Sequence, residues 1–268
     1  MKTFLYLKRT FYFFFSLFLF FSISFQPALA SEEKDFSRIY QKAIIASRDG
    51  DFLNALDYWD QLIKIRPDDP LVLSNHGNTL LALGDAKGAI IDQTRAIEIL
   101  PDEFDPRLNR GMAEENLNEW DKAENDYRWI LQRDSNNSSA LYNLANVKIA
   151  QGNWKEAEIL FEKASLSGSD FAIATSSRAL ALYQLGQLDE AELELRKLIR
   201  RHPMFADARA SMTAILWAKG SFGEAESYWA SASGLDTRYR DSDWLLNIRR
   251  WPPQPVDDLM HFLNLEQS

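Results

Sequence analysis

Apolar residues recur along this chain with the three- and four-residue spacing of amphipathic helices, as in Phe52, Ala55, Leu56, Trp59 and Leu62, or Trp154, Ala157, Leu160, Phe161 and Ala164. No segment alternates as a strand would. Superimposed on this is a longer period. Alanine stands at 55, 89, 123, 157, 191 and 225, every 34 residues, and five of the six are preceded five residues earlier by Gly50, Gly84, Gly152, Gly186 or Gly220. Asn118 fills the sixth place, and it is the other residue that tolerates the left-handed backbone ending a helix. Pro67, Pro101 and Pro203, with Ser135, Ser169 and Thr237 as substitutes, close the blocks. Each block therefore reads helix, turn, helix, stop.

The blocks run without insertion as 36–69, 70–103, 104–137, 138–171, 172–205 and 206–239. In each first helix a small residue (Ala43, Gly77, Gly111, Ala145, Ala179, Thr213) faces the alanine column and lets two helices approach. Large residues form further columns: Phe52, Trp120, Trp154, Leu188 and Phe222 in one, Trp59, Tyr127, Phe161, Leu195 and Trp229 in another. Their spacing follows packing, so they are expected in the core rather than in a ligand box. These columns resemble the tetratricopeptide repeat over about three quarters of the chain. The resemblance implies an all-α, right-handed α-solenoid of six helical hairpins, with capping helices at the C-terminus. His76 and Gln93 depart from the pattern, and the fourth block ends in Ser167-Gly168-Ser169 without proline, so the second and fourth blocks are expected to be looser.

Outside the repeats, residues 1–30 carry Lys2, Lys8 and Arg9, an uncharged Phe/Leu run and Ala28-Leu29-Ala30. This resembles a secretory signal peptide cleaved after Ala30, followed by a short linker over 31–35. The alternative is an uncleaved membrane anchor. Export to a periplasm or thylakoid lumen is the expected location. Cleavage removes three of the 30 basic residues and none of the 39 acidic ones, leaving 27 against 39 and a net charge of −12. Such a balance argues against nucleic acid as a partner. With no cysteine, disulfides, thiol catalysis and cysteine-ligated metals are excluded.

Residues 240–268 read as a C-terminal helical cap and tail: a short helix, the Pro252-Pro253 break, and a second amphipathic helix. Trp244, Leu245, Ile248, Leu259, Phe262 and Leu263 are expected to cover the open end of the repeats. Pro252-Pro253-Gln254-Pro255 also fits a Pro-x-x-Pro ligand, although a turn between cap helices explains it. Arg249, Arg250 and Trp251 form a candidate docking surface, because a cation beside an aromatic ring is a common interface anchor. The tail is similar to that of exported tetratricopeptide proteins of cyanobacteria and of the chloroplast thylakoid lumen.

In tetratricopeptide proteins the first helices line the concave face. Asn75, Asn109 and Asn143 form one repeating column there, and Asn78 and Asn146 a second. An amide both donates and accepts, so such rows can pair with the backbone of an extended peptide; they can equally satisfy local backbone groups. The basic half of a carboxylate clamp is missing, with Ser74, Ser139 and Asn143 in its place. The acidic set Asp102, Glu103, Asp105, Glu114 and Glu115 reads either as exposed helix surface or as the face for a basic partner, and Arg196, Lys197, Arg200, Arg201 and His202 as a solvated helix end. His76, His202 and His261 lack metal-ligand spacing, and no phosphate loop or nucleophile elbow is present. The chain is therefore read as non-enzymatic, without catalytic residues, metal or cofactor. Its expected partner is a protein client, held as an extended segment in the groove, and the tail's likeness implies a client among photosynthetic membrane complexes. The alternative is a membrane-tethered or self-associating structural module.

Overall fold

The computed structural model describes residues 32–167 and 172–266; the proposed signal segment with Ser31, residues 168–171 and the last two residues lie outside them. All regular structure among the described residues is helical. A first helix, α1, spans 32–48 and is followed by α2 (Phe52–Ile65), α3 (Pro70–Ala82), α4 (Ala86–Ile99), α5 (Phe104–Asn116) and α6 (Trp120–Leu131). The series continues with α7 (Ser138–Ala150), α8 (Trp154–Ser167), α9 (Ala172–Gln184), α10 (Leu188–Arg201), α11 (Ala206–Ala218) and α12 (Phe222–Leu235). A 3-10 turn (Thr237–Arg240), a π turn (Trp244–Ile248) and α13 (Pro253–Glu266) complete the chain.

The punctuation of the sequence sets these boundaries. Gly50, Gly84, Gly152, Gly186 and Gly220 all have φ between 74° and 90°, and Asn118 has φ 58°. Second helices stop at Ile65, Ile99 and Arg201, two residues before Pro67, Pro101 and Pro203. Asp51, Asp69, Asp85 and Asn137 cap the helices that follow them by accepting backbone N–H bonds in the first turn.

The chain divides into two compact units, one ending at Asp102 and the other beginning at Glu103. The first has a core of Phe36, Ala43, Ala46, Ala55, Trp59, Leu62 and Val72. His76 and Gln93, the two departures from the repeat, are paired rather than loosely held. His76 contacts Asp92 and Asp60, and the buried Gln93 amide donates to the Ser74 carbonyl at 2.8 Å and to Asn78 Oδ1 at 2.9 Å. Hydrogen bonds across α3 and α4 thus satisfy the Gln93 nitrogen, while its Oε1 is buried without a hydrogen-bond partner.

The second unit contains four hairpins and the C-terminal segment. All six column alanines are buried, as is the whole Trp59, Tyr127, Phe161, Leu195, Trp229 column. The Phe52 column departs from expectation. It lies at the rim, where each second helix starts beside the turn: Phe52, Trp120, Trp154 and Leu188 are only partly buried, and Phe222 is half exposed. Gly111 is required by packing: a Cβ there would lie 2.6 Å from the Tyr127 ring.

Candidate functional site

First helices of the second unit line its inner side. Helices α5 and α7, and likewise α9 and α11, pack on each other more closely than any pair of second helices does. The C-terminal segment does not simply close the open end beyond α12. From Leu235 the chain turns back across this first-helix face, and α13 then packs on α9 and α11. Leu245, Leu259, Phe262 and Leu263 are buried as expected, with Phe262 edge-on to Trp217 and Trp229. Ile248 is not: it is 69% exposed, since the π turn presents it outward from the strap that crosses the groove.

Asp207, in the first turn of α11, fastens the strap. Its carboxylate is buried and accepts two bonds from Arg249, at 2.7 and 2.6 Å, and one each from Ser176 Oγ (2.5 Å), Tyr239 Oη (3.0 Å) and Trp251 Nε1 (3.1 Å). Burial alone would push this carboxyl up, but the Arg249 charge and these hydrogen bonds outweigh it and hold the group below the usual carboxylate range. Burial likewise opposes the Arg249 charge, and Asp207 more than restores it. Trp251 is 2% exposed, and the Tyr239 ring lies beside it, tilted by 50° with ring centroids 5.8 Å apart. Arg249 and Trp251 are therefore interior groups, not a docking surface: a buried carboxylate needs a counter-charge and draws them inward.

Arg250 points the other way along the face. It takes a left-handed conformation, φ 59°, and its guanidinium pairs with Glu115 on α5, which also accepts a hydrogen bond from the Tyr127 hydroxyl. The Trp120 ring lies 5.8 Å from the guanidinium carbon. Burial raises the Glu115 carboxyl, with Arg250 and Tyr127 opposing, and burial also raises the Tyr127 phenol. Glu114 and Glu115, one reading of which was exposed surface, are buried, and the basic group that meets Glu115 belongs to the same chain.

Two clefts flank this pair. One, of about 300 Å³, is lined by Met112, Tyr142, Asn143, Asn146, Ile173 and Ile248, with Glu115, Arg249 and Arg250 at its edge. The other, about 480 Å³, has Asn118, Trp120, Ile149 and Leu246 in its wall and shares Glu115, Asn116, Ile248 and Arg250 with the first. Asn143 and Asn146 are thus brought together with the strap. Asn109, also in the second unit, is half-buried and lines neither cleft. In the first unit, Asn75 donates to the Leu71 carbonyl at 2.8 Å, and Asn78 accepts from Gln93. Those two amides are engaged by their own hairpin, the local alternative that the asparagine columns allow. Asp207 was not singled out in the sequence; its signal is the one acidic residue, in the first turn, of a helix whose only other charge is Arg209.

Known proteins place this architecture. Over 106 residues the chain is 34% identical to sperm-associated antigen 1A of Danio rerio, a match covering 37% of this chain and 25% of that protein. The chain thus spans about a quarter of that relative's length. A tetratricopeptide repeat protein from Parabacteroides merdae superposes with a TM-score of 0.63 at 19% identity, covering 85% of this chain and 98% of the other. A chain of the APC/C hetero-tetramer Cut9-Hcn1 gives 0.66 at 16% identity, over 82% of this chain and 41% of the other. The family profile described as protein kinase G tetratricopeptide repeat matches residues 38–216. The chain belongs to that tetratricopeptide repeat family.

Proposed function

We propose that this scaffold holds a short segment of a protein client in the paired clefts of the second unit, on the α5–α7 side of the first-helix face. The observation that carries this reading is the first cleft, where Asn143 and Asn146 stand beside Met112 and Ile248, which remain 40% and 69% exposed. Apolar side chains left open next to paired donors and acceptors suit a peptide that buries one or two side chains and pairs its backbone with the amides. The strap covers the α9–α11 side, so the client segment is shorter than a ladder of asparagines over three repeats would take. Cleft volumes of about 300 and 480 Å³ fit such a segment.

The signal-like residues 1–30 support action outside the cytoplasm, and the tail's likeness supports a client at a photosynthetic membrane. Mass determination of the protein recovered from its host tests the first: a mature N-terminus at Ser31 supports it, and an intact Met1 in the cytoplasm refutes it. Crosslinking the protein in its native compartment, followed by peptide identification, tests the cleft. Asn143→Ala with Asn146→Ala should lose most client crosslinks at unchanged helix content; retention at the original level would refute the cleft as the client site.

A further inference from the structure

Glu115, Trp120 and Tyr127 form a recess with the features of a guanidinium receptor. A carboxylate of which 5% is exposed sits at the base and accepts the Tyr127 hydroxyl, and an indole ring faces the bound cation. The planar, delocalised guanidinium suits both a carboxylate and an aromatic face better than an ammonium does. In this structure the occupant is Arg250, reached across 135 positions of sequence.

The two partners of this pair are held unequally. Glu115 is fixed on α5 and loses its counter-charge if Arg250 leaves, and a buried carboxylate left with a single neutral donor is strongly disfavoured. Arg250 loses little. Its side chain is 23% exposed at the edge of both clefts, and its left-handed backbone is one that side-chain-bearing residues rarely adopt. Release lets the guanidinium hydrate, provided that another cation takes the receptor. The neighbouring anchor is different in kind: Asp207 holds Arg249, Trp251 and Tyr239 together in the interior, so the strap can give up Arg250 without leaving the fold.

We propose that the Glu115–Trp120–Tyr127 recess is an arginine receptor for the client: an arginine of the bound segment enters it by displacing Arg250, so that client binding and the internal latch exclude each other. This rests on the cleft reading and adds the partner's chemistry to it, a cationic segment in keeping with the chain's net charge of −9.

The test uses the full chain and a capped tetrapeptide of the strap's own residues 247–250, Asn-Ile-Arg-Arg, with a control in which both arginines are replaced by citrulline, their neutral isostere. Binding is read from the Trp120 indole resonance. Arg250→Ala, which empties the receptor, should bind the arginine peptide at least about tenfold more tightly than the wild-type chain, and the citrulline peptide at least about tenfold more weakly than the arginine one. Adding Glu115→Gln should abolish the gain. Arg250→Gln serves as a second emptied variant, and circular dichroism verifies that each variant keeps its helix content. Equal binding of both peptides, or no gain on emptying the recess in either folded variant, would overturn the proposal. Client crosslinks that depend on Asn143 and Asn146 yet ignore Arg250 and Glu115 would also overturn it, while leaving the cleft reading in place.

Discussion

Replacing Asp207 by asparagine removes one negative charge from the point where the strap joins the repeats, and the structure sets the size of the effect. The carboxylate accepts five hydrogen bonds, two from a guanidinium that is itself buried. Asparagine keeps the shape, but it has one acceptor oxygen and turns an NH₂ toward a donor. Arg249 is then left in the interior without a counter-ion. Breaking a buried pair in this way costs about 3–5 kcal/mol, because an uncompensated charge remains. In a unit of this size that corresponds to a fall in Tm of the order of 10 °C. Thermal unfolding followed by circular dichroism measures the fall, and amide hydrogen exchange locates it, with protection lost in α11, α13 and the strap and kept in α1 to α4. The deficit also has a pH signature. Because the folded-state carboxyl is held below its ordinary value, its contribution is present above the unfolded pKa and is lost as pH falls through the folded one. Wild type and variant should therefore keep their full difference down to about pH 4 and converge only as pH falls further, through the depressed folded-state value. Asp207→Leu combined with Arg249→Met, which removes both charges, should recover only part of the loss, because Ser176, Tyr239 and Trp251 still lose their acceptor. A deficit below about 1 kcal/mol, or one spread equally over both units, would refute the clasp.

Gly111→Ala should cost about 1–3 kcal/mol in chemical unfolding, since its Cβ would press on the Tyr127 ring, whereas Gly223→Ala on the exposed start of α12 meets nothing within 4 Å and should be neutral or slightly stabilising. Burial first, and Asp126 second, push the Glu114 carboxyl up to about 7 against the opposing charge of Arg110. Between 4.5 and about 7 the folded state holds a proton that the unfolded chain has released, so stability should fall as pH rises through that window. Glu114→Gln should flatten a slope worth about 1–2 kcal/mol after allowance for solvent screening, and a slope unchanged in that variant would contradict the assignment. Amidating the C-terminus of a bound client should leave its affinity unchanged in a titration, because no basic carboxylate clamp is present; a large loss would count against this.

What the sequence makes legible is the part governed by near neighbours. The alanine and glycine columns, the helix stops before Pro67, Pro101 and Pro203, and the buried Trp59 column follow from a repeat in which each hairpin contacts the next one. Gln93 shows the limit of that legibility: its departure from the repeat is visible, but its two acceptors across the hairpin are not. The strap shows it more strongly. Arg249 and Arg250 stand out in the sequence as a basic pair, yet their partners lie 42 and 135 positions away, and no periodicity links them. A basic pair and an acidic pair on separate elements look like two exposed surfaces until the chain folds back. Asn143 and Asn146 were identifiable as candidates because their column repeats. That Asn75 and Asn78 are engaged within their own hairpin depends on side-chain geometry alone.

The central claim is that the C-terminal strap lies on the first-helix face beside the client cleft. The chain has no cysteine, so the paired substitutions Met112→Cys and Ile248→Cys, both on the wall of one cleft, create a unique thiol pair. Treatment of the purified protein with a short bismaleimide should give a fast intramolecular crosslink, identified by mass spectrometry as a linked pair of peptides, and Asp207→Asn should slow it. Absence of that crosslink in a folded protein whose two thiols both react singly would contradict the account.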